Sequence, residues 1–298
     1  IDLQINGYGG IDYNSDDLTA DTLHASCEAI RRDGVSAILA TIVTQSIAIM
    51  CQRLEKIVAF RQRDPLAREM IVGFHVEGPF INSQKGYVGA HLPSAVVPAT
   101  IDDAKKLFDA CGGMMRILTL APENDANLAT TAWLAKQGVT VSAGHTNAPF
   151  DTLKAAAEAG LSMFTHLGNG CPMEMHRHDN IIQRVLALAD RIHPGLIADG
   201  VHLPLFVLKN FLDLAGVENC FVVTDAISAA GKGPGVYKLA QWEIKVGEDL
   251  AVRSPDGTHL VGSAVTMKRE MELLGSVGFS QRQIDGLTDH NPRKFSGL

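Results

Sequence analysis

Acidic and histidine side chains follow the ends of several apolar segments in this sequence. Glu77 comes directly after the apolar segment 70–76, and Gly78-Pro79 then ends the run. Four later segments end in a similar way, at His145, His166, His202 and Asp225. Two imidazoles and one carboxylate, with a fourth position open for water, are the ligand set of a catalytic zinc site. The sequence therefore predicts metal chemistry, provided that these segment ends meet in space.

Eight such apolar segments alternate with helical patterns along the chain. They are centred on Leu3, Ile38, Val72, Ile117, Val141, Met163, Leu196 and Val222. Each of the first seven is followed by a helix or by a loop and a helix, and this alternation predicts an α/β fold, a (β/α)8 TIM barrel. A doubly wound open sheet is the alternative, but it would normally carry a glycine fingerprint after its first strand. A barrel brings all the segment ends to one face, around one axis.

The barrel is expected to take up the whole chain as a single catalytic domain, 1–298. Residues 237–253 alternate apolar and polar side chains, which predicts a β-hairpin inserted after the eighth strand. The long glycine-rich loop from Phe80 to His91 follows the third strand, and loops of this length in compact domains usually serve a function.

Glu77, His145 and His166 are the predicted metal ligands. Neutral imidazole and carboxylate suit Zn2+, our first expectation, and also Fe2+, Co2+, Mn2+ and Ni2+, so the sequence does not fix the metal. Such a metal lowers the pKa of its water toward ~7 and polarises a carbonyl. Asp225 is then the predicted base that takes the proton of this water. The competing interpretation of Asp225 is an N-cap or an ion pair for the loop at Ser228.

Composition excludes several other classes of protein. The chain has 298 residues, 46% of them hydrophobic and 20% charged, which is ordinary for a globular protein. The net charge of −7 and the lack of a Lys or Arg run argue against a nucleic-acid surface. No apolar stretch approaches the ~18 residues of a membrane helix. Five scattered cysteines without a CxxC favour free thiols in a reducing cytoplasm. We therefore expect a cytoplasmic protein with a small-molecule partner and no nucleic-acid or membrane partner.

Several motifs resemble the N-acetylglucosamine-6-phosphate deacetylase family of the amidohydrolase superfamily. They occupy residues 73–80, 85–91, 121–123, 142–146, 165–169, 198–202 and 223–226. The resemblance runs in order from Ile1 to Leu298. It implies a metal-dependent hydrolase that removes the acetyl group of an N-acetylhexosamine 6-phosphate, giving acetate and the amino sugar phosphate.

The resemblance also implies a role for each matching residue. Glu77, His145 and His166 resemble the metal ligands, and Asp225 resembles the catalytic acid/base. His91 looks like the histidine that meets the substrate near the scissile carbonyl. The implied sugar and phosphate contacts are Asn169, Gly170 and His202, together with Arg177, whose counterpart often reaches the phosphate across a dimer interface. A homodimer is therefore expected.

The sequence departs from the family pattern in three places. Gln4-Ile5-Asn6 stands where many superfamily members carry His-x-His, and amides are poor ligands for transition metals. Gln4 and Asn6 are therefore candidate site residues of a different kind, and we expect one tightly bound metal. The spacing from Lys85 to His91 is longer than usual, which leaves the pose of His91 open. The small β-sandwich of the family is expected to be missing or truncated.

Three alternatives stay open at this stage. The substrate could be the N-acetylgalactosamine 6-phosphate isomer, because one hydroxyl orientation separates the two sugars. A cyclic-amide hydrolase or a deaminase would have no reason to carry Arg177 and His202 as a phosphate pair. A catalytically inactive sugar-phosphate-binding barrel would have lost Asp225 or a metal ligand, and all of these are present.

Overall fold

Eight parallel strands form the centre of the protein in a computed structural model that describes residues 1–239, 242–254, 256–257 and 259–298. The strands are β1 (Asp2–Ile5), β2 (Ile38–Val43), β3 (Ile71–Glu77), β4 (Met115–Leu120), β5 (Thr140–Ala143), β6 (Leu161–Phe164), β7 (His193–Leu196) and β8 (Phe221–Val222). Each strand is hydrogen-bonded to the next one in chain order. A parallel bridge between Ile5 and Ala226 joins the two ends of the sheet. The predicted TIM barrel is therefore confirmed.

Helices follow the strands and cover the outside of the barrel. They are α1 (Ala20–Arg32), α2 (Ile47–Arg63), α3 (Pro65–Met70), α4 (Ile101–Ala110), α5 (Ala129–Lys136), α6 (Phe150–Glu158), α7 (Ile181–Leu186), α8 (Leu205–Ala215), α9 (Met267–Ser276), α10 (Gln281–Asp285) and α11 (Asn291–Ser296). Side-chain oxygens cap several of them, such as that of Thr100 before α4 and that of Thr266 before α9. Such caps satisfy backbone N–H groups that have no partner within the helix.

Side chains on the two faces of the barrel strands form two separate apolar layers, one inside the barrel and one beneath the helices. On β2, Ile38, Ala40 and Ile42 pack between the barrel and the helices, whereas Leu39 points into the barrel interior. Successive side chains point to opposite faces of a strand, so a strand buried on both faces must be apolar throughout. This explains why the barrel segments stand out in the sequence as continuous apolar runs.

The structure corrects two predicted boundaries. The strand expected at Met70–Val76 begins at Ile71, because α3 precedes it, and it includes Glu77 as its last residue. The helical pattern of the sequence begins at Asp125 and predicts a helix from there to Gln137, but the helix α5 begins at Ala129 and ends at Lys136. The carboxylate of Asp125 accepts hydrogen bonds from the backbone N–H groups of Thr130 and Thr131, at 3.0 and 2.7 Å, and so lies outside the helix.

A small antiparallel sheet follows the eighth barrel strand. It contains β9 (Gly235–Leu239), β10 (Trp242–Val246) and β11 (Val252–Arg253). The hairpin predicted at 237–253 also includes residues 240–241, which lie outside the described residues. Apolar side chains of this sheet pack in one cluster with Ala90, the neighbour of His91. The sheet therefore supports the loop after β3.

Two further findings concern membrane-spanning helices and the cysteines. Within the described ranges, no helix is long and apolar enough to cross a membrane. All five cysteines are free thiols, three of them buried and two half-buried.

Candidate metal and acid–base site

Three side chains at the carboxyl ends of the strands have an unusual backbone conformation. The φ angles of His145, His166 and Asp225 are 50°, 36° and 49°, which is the left-handed region. A residue with a side chain pays roughly 1–2 kcal/mol there. Such strain persists only where the surrounding structure holds it in place, and it is concentrated at functional sites. The chain thus turns abruptly at the end of β5, β6 and β8 and directs these side chains to one place.

Three ring nitrogens converge on one oxygen of Glu77. From Glu77 Oε1, the Nε2 atom of His166 lies at 2.8 Å, that of His145 at 3.2 Å and that of His91 at 3.9 Å. Each of these four residues is at least 94% buried. Burial alone would raise the pKa of Glu77, but the nearby histidine side chains lower it well below its usual range. Glu77 is therefore ionised at the centre of the cluster.

The geometry of Glu77, His145 and His166 fits a metal ion. One ligand atom from each of the three lies within 4.8 Å of the others. His145 Nδ1 lies 2.7 Å from the carbonyl oxygen of Tyr87, which can only accept, so this nitrogen carries the proton. In the tautomer in which a histidine binds a metal through Nε2, the lone pair of this nitrogen faces Glu77 Oε1, an arrangement that repels unless a cation lies between the two atoms. Adjacent ligands of a tetrahedral zinc ion with ~2.05 Å bonds are roughly 3.3 Å apart, close to the spacing seen here.

His91 has the opposite tautomer. The backbone N–H of Thr44 donates to its Nδ1 at 3.4 Å, so the proton of the neutral ring is on Nε2. That Nε2–H group points at His145 Nε2, 3.1 Å away. Burial and the neighbouring His145 lower the pKa of His91 to about 3, which keeps the ring neutral. The lengthened loop therefore delivers a neutral hydrogen-bond donor to the cluster.

Two glycines hold the ring of His145 from two different loops. A Cβ atom added to Gly170 would lie 2.8 Å from His145 Nδ1, and one added to Gly89 would lie 3.2 Å from His145 Cε1. Both glycines have positive φ angles, 59° and 56°. The backbone of the loop after β6 thus approaches the imidazole ring too closely for a Cβ atom at Gly170 without a shift, and the backbone of the loop after β3 leaves little space for one at Gly89.

The two amides of β1 join the carboxylates of the site. Gln4 Nε2 donates to Glu77 Oε2 at 3.1 Å and to Asp225 Oδ1 at 3.0 Å. Asn6 Nδ2 donates to the same oxygen of Asp225 at 2.7 Å. Burial, and then the negative charge of Glu77, raises the pKa of Asp225 to about 7. A carboxyl group with a pKa near neutrality can both accept and release a proton under physiological conditions.

The predicted sugar and phosphate residues differ in the partners that their side chains have. His202 Nδ1 donates to Asp199 Oδ2 at 2.7 Å, which leaves Nε2 of His202 as the free ring nitrogen. Asn169 Nδ2 is buried and has no hydrogen-bond partner among the described residues. Arg177 is exposed and makes no hydrogen bond or ion pair with any part of the chain that the structure describes. Donors without protein partners are available to a ligand.

Sequence reasoning missed the residues that hold these side chains. Thr44 fixes the tautomer of His91, and its hydroxyl also donates to the backbone oxygen of Glu77 at 3.2 Å. Tyr87 acts through its carbonyl oxygen, a group that no side-chain pattern reveals. For Asp199 a local signal existed, because it precedes His202 by three residues at the end of β7. The contacts of Thr44 and Tyr87 depend on how distant loops come together.

The fold and the cluster define a class of proteins, the (β/α)8 barrels with a buried His–His–Glu cluster that could hold a metal ion. No family model matches the chain. The chain is 30% identical to the N-acetylglucosamine-6-phosphate deacetylase of Bacillus subtilis over 301 residues, which covers 100% of this chain and 74% of that protein. It is 31% identical to the N-acetylgalactosamine-6-phosphate deacetylase of Shewanella sp. strain ANA-3, over 90% of this chain and 65% of that protein.

A solved structure leads to the same family. An N-acetyl-D-glucosamine-6-phosphate deacetylase variant from Mycobacterium smegmatis, in complex with N-acetyl-D-glucosamine 6-phosphate, superposes with a TM-score of 0.89 at 27% identity, over 100% of this chain and 77% of that one. The chain belongs to the N-acetylglucosamine-6-phosphate deacetylase family.

Proposed function

We propose that this protein hydrolyses the acetamide of N-acetyl-D-glucosamine 6-phosphate to D-glucosamine 6-phosphate and acetate. The observation that carries the proposal is the convergence of His145 and His166 on Glu77, with Asp225 linked to the same carboxylate through Gln4. Membership in the deacetylase family supports the choice of substrate. We further propose that 1–298 acts as one catalytic domain, in the cytoplasm, and as a homodimer.

Glu77, His145 and His166 would hold one divalent metal ion, with Zn2+ as our first choice. When bound, such an ion polarises the substrate carbonyl and lowers the pKa of a water molecule. The amides of Gln4 and Asn6 favour a single ion, because their N–H groups already bind the carboxylates on this side of the site. A measurement of two metal equivalents per chain would contradict this count.

Asp225 would move the proton. Its carboxylate takes a proton from the attacking water and gives it to the nitrogen of the amine that leaves, so that no net proton is gained or lost by the enzyme. The pKa near 7 suits both steps. Asn6 and Gln4 hold Oδ1 of Asp225, so the carboxylate is oriented before the substrate arrives.

His91 would stabilise the oxygen of the scissile carbonyl. Negative charge develops on this oxygen as water attacks, and a fixed N–H donor stabilises that charge. The tautomer set by Thr44 places that N–H group on the side of the metal ligands.

The other end of the substrate would bind to Asn169, Gly170, His202 and Arg177. Asn169 Nδ2 offers a buried donor, and His202 is oriented by Asp199. Arg is well suited to phosphate because its fork of donors matches the phosphate oxygens. The exposed Arg177 would provide this contact in the sugar-phosphate complex.

A second candidate substrate is N-acetyl-D-galactosamine 6-phosphate. The similarity to the Shewanella protein, which bears the name of a deacetylase of that sugar, is the observation that favours it. The chemistry and the roles of the residues would be unchanged.

Acetate release tests both candidates directly. We expect the purified protein to release acetate from N-acetyl-D-glucosamine 6-phosphate, to do so more slowly from the galacto isomer and from the unphosphorylated sugar, and to stop after chelation. Asp225→Asn should abolish turnover while the metal content is retained. Near-normal turnover by this variant would refute the role of Asp225, and turnover unaffected by removal of the metal would refute the metal-dependent reaction.

A further inference from the structure

Arg184 joins two loops at the rim of the site. It lies on α7, and only 14% of its side chain is exposed. Its Nε donates to Asp179 Oδ1 at 2.6 Å, and its Nη2 donates to the backbone oxygen of Asp179 at 3.3 Å. Its Nη1 contacts three acceptors on the other loop, namely Asn147 O at 3.3 Å, Asn147 Oδ1 at 3.1 Å and Ala148 O at 3.1 Å. All three nitrogen atoms of one guanidinium group thus donate to two short segments.

The first segment is the loop that carries Arg177. Its own hydrogen bonds are local, from the backbone of Asp179 to His176 Nδ1 at 2.9 Å and from Asn180 Nδ2 to His176 O at 2.9 Å. These bonds give the loop its shape but do not attach it to the barrel. Residues 176–179 are exposed, and the apolar packing of this loop stops at Met175, which contacts the hydrophobic core. Arg184 connects the exposed residues after Met175 to the second segment.

The second segment begins two residues after the metal ligand His145. It is fixed from its other side by Glu123, whose Oε1 accepts from the backbone N–H of Asn147 at 2.7 Å and whose Oε2 accepts from the hydroxyl of Thr146. The same Oε1 accepts from Asn82 Nδ2, in the loop after β3, at 2.9 Å. Arg184 therefore connects the Arg177 loop to the part of the rim that is already tied to the barrel.

We propose that Arg184 is a positioning residue that sets the loop of Arg177 relative to the strand end of His145. It thereby fixes the distance between the place where the phosphate binds and the place where the acetamide is cleaved. The inference rests on the proposed function, because it requires a ligand that spans both places, an amino sugar phosphate. A guanidinium group is planar and presents five donors in a fixed arrangement, whereas a lysine at this position is a single point charge that cannot reach both segments together.

Binding of D-glucosamine 6-phosphate to the metal-loaded protein tests this role. We expect Arg184→Met, which keeps the apolar stem and removes every donor, to raise the Kd by about tenfold or more and to raise KM more than it lowers kcat. The Kd of Arg184→Lys should lie between those of Arg184→Met and the wild type, since a lysine can keep the ion pair with Asp179. Amide exchange of residues 176–180 should accelerate in Arg184→Met. Metal affinity, measured by chelator competition, should stay within about twofold of the wild type.

Arg269→Met provides the matched control. Arg269 makes an exposed ion pair with Glu272 at 3.1 Å on α9, so the same change of residue type should alter neither Kd nor loop exchange. An unchanged Kd in Arg184→Met would overturn the inference. An equal loss of metal affinity and of ligand binding would also overturn it, because Arg184 would then support the whole site.

The outcomes separate this inference from the proposed function. A wild-type protein that binds D-glucosamine 6-phosphate but releases no acetate would refute the deacetylase proposal, and the Kd comparison would still decide the role of Arg184. A wild-type protein that fails to bind this ligand would overturn the inference itself. Thermal unfolding of each variant identifies any loss that comes from misfolding.

Discussion

Replacing Gly170 with alanine should weaken metal binding, although Gly170 itself carries no side chain that could touch a metal. The new Cβ would lie 2.8 Å from His145 Nδ1 and 3.0 Å from Cε1. Ordinary contact begins at 3.4 Å, so the ring and the loop must separate by roughly 0.6 Å. Site residues must be held within about 0.5 Å of their productive geometry. The hydrogen bond from His145 to Tyr87 O resists this movement.

Two separate costs follow from this substitution. An alanine at φ 59° is disfavoured by about 1–2 kcal/mol whatever surrounds it, and this cost reduces the stability of the metal-free protein. Displacing His145 adds a loss of about 10–100-fold in metal affinity, the range seen when the support of a metal-ligating histidine is removed. Gly89→Ala, whose Cβ would lie 3.2 Å from the ring, should show a smaller loss.

Chelator competition without substrate is the appropriate assay. Gly138→Ala is the matched control, because Gly138 has a φ of 78° and no atom within 4 Å of an added Cβ. This control should lose stability to a similar extent and keep its metal affinity. Wild-type metal affinity in Gly170→Ala would refute the reasoning and would leave Gly170 as a substrate contact alone.

Three other perturbations have definite expected outcomes. Gln4→Leu removes the donors to Glu77 and Asp225, so kcat should fall at least tenfold with KM little changed; an unchanged kcat would show that the bridge is dispensable. Asp199→Asn should raise KM for the phosphorylated sugar, because His202 loses the carboxylate that fixes its tautomer; equal kinetics would contradict this. Glu270 is fully buried, and burial raises its pKa well above the usual 4.5. Since the folded pKa exceeds the unfolded one, wild-type stability should fall as pH rises above 4.5, by up to about 1.4 kcal/mol per pH unit. Glu270→Gln has no carboxyl group at this position and so does not lose stability in this way. The Tm of this variant should therefore rise relative to that of the wild type between pH 5 and 8. A constant difference between the two Tm values would refute the raised pKa of Glu270.

The barrel could be predicted because strands buried on both faces leave a continuous apolar signal. The run from Ile38 to Val43 is an example, since both the interior and the helix layer demand apolar side chains there. The boundaries of the helices and strands were harder to predict from the sequence. Asp125 lies in a helical pattern, yet its carboxylate caps α5 from outside, and such competition between side chain and backbone is decided by local geometry.

The convergence of Glu77, His145 and His166 could be anticipated because one barrel face gathers the ends of all strands. The pose of His91 could not, because it depends on a contact with Thr44, 47 positions away in the chain. The bridge from Gln4 to both carboxylates was equally hidden. In the sequence these amides only indicated the absence of histidine, whereas in the structure they bind the two acidic groups of the site.

The left-handed backbone of His145, His166 and Asp225 determines which substitutions give interpretable results. Asparagine enters this region of φ/ψ more readily than alanine does. An alanine scan of these three positions would therefore combine the loss of a functional group with a change in the local fold. Asparagine replacements separate the two effects. The backbone conformation at these strand ends therefore makes asparagine the suitable substitution for studying their chemistry.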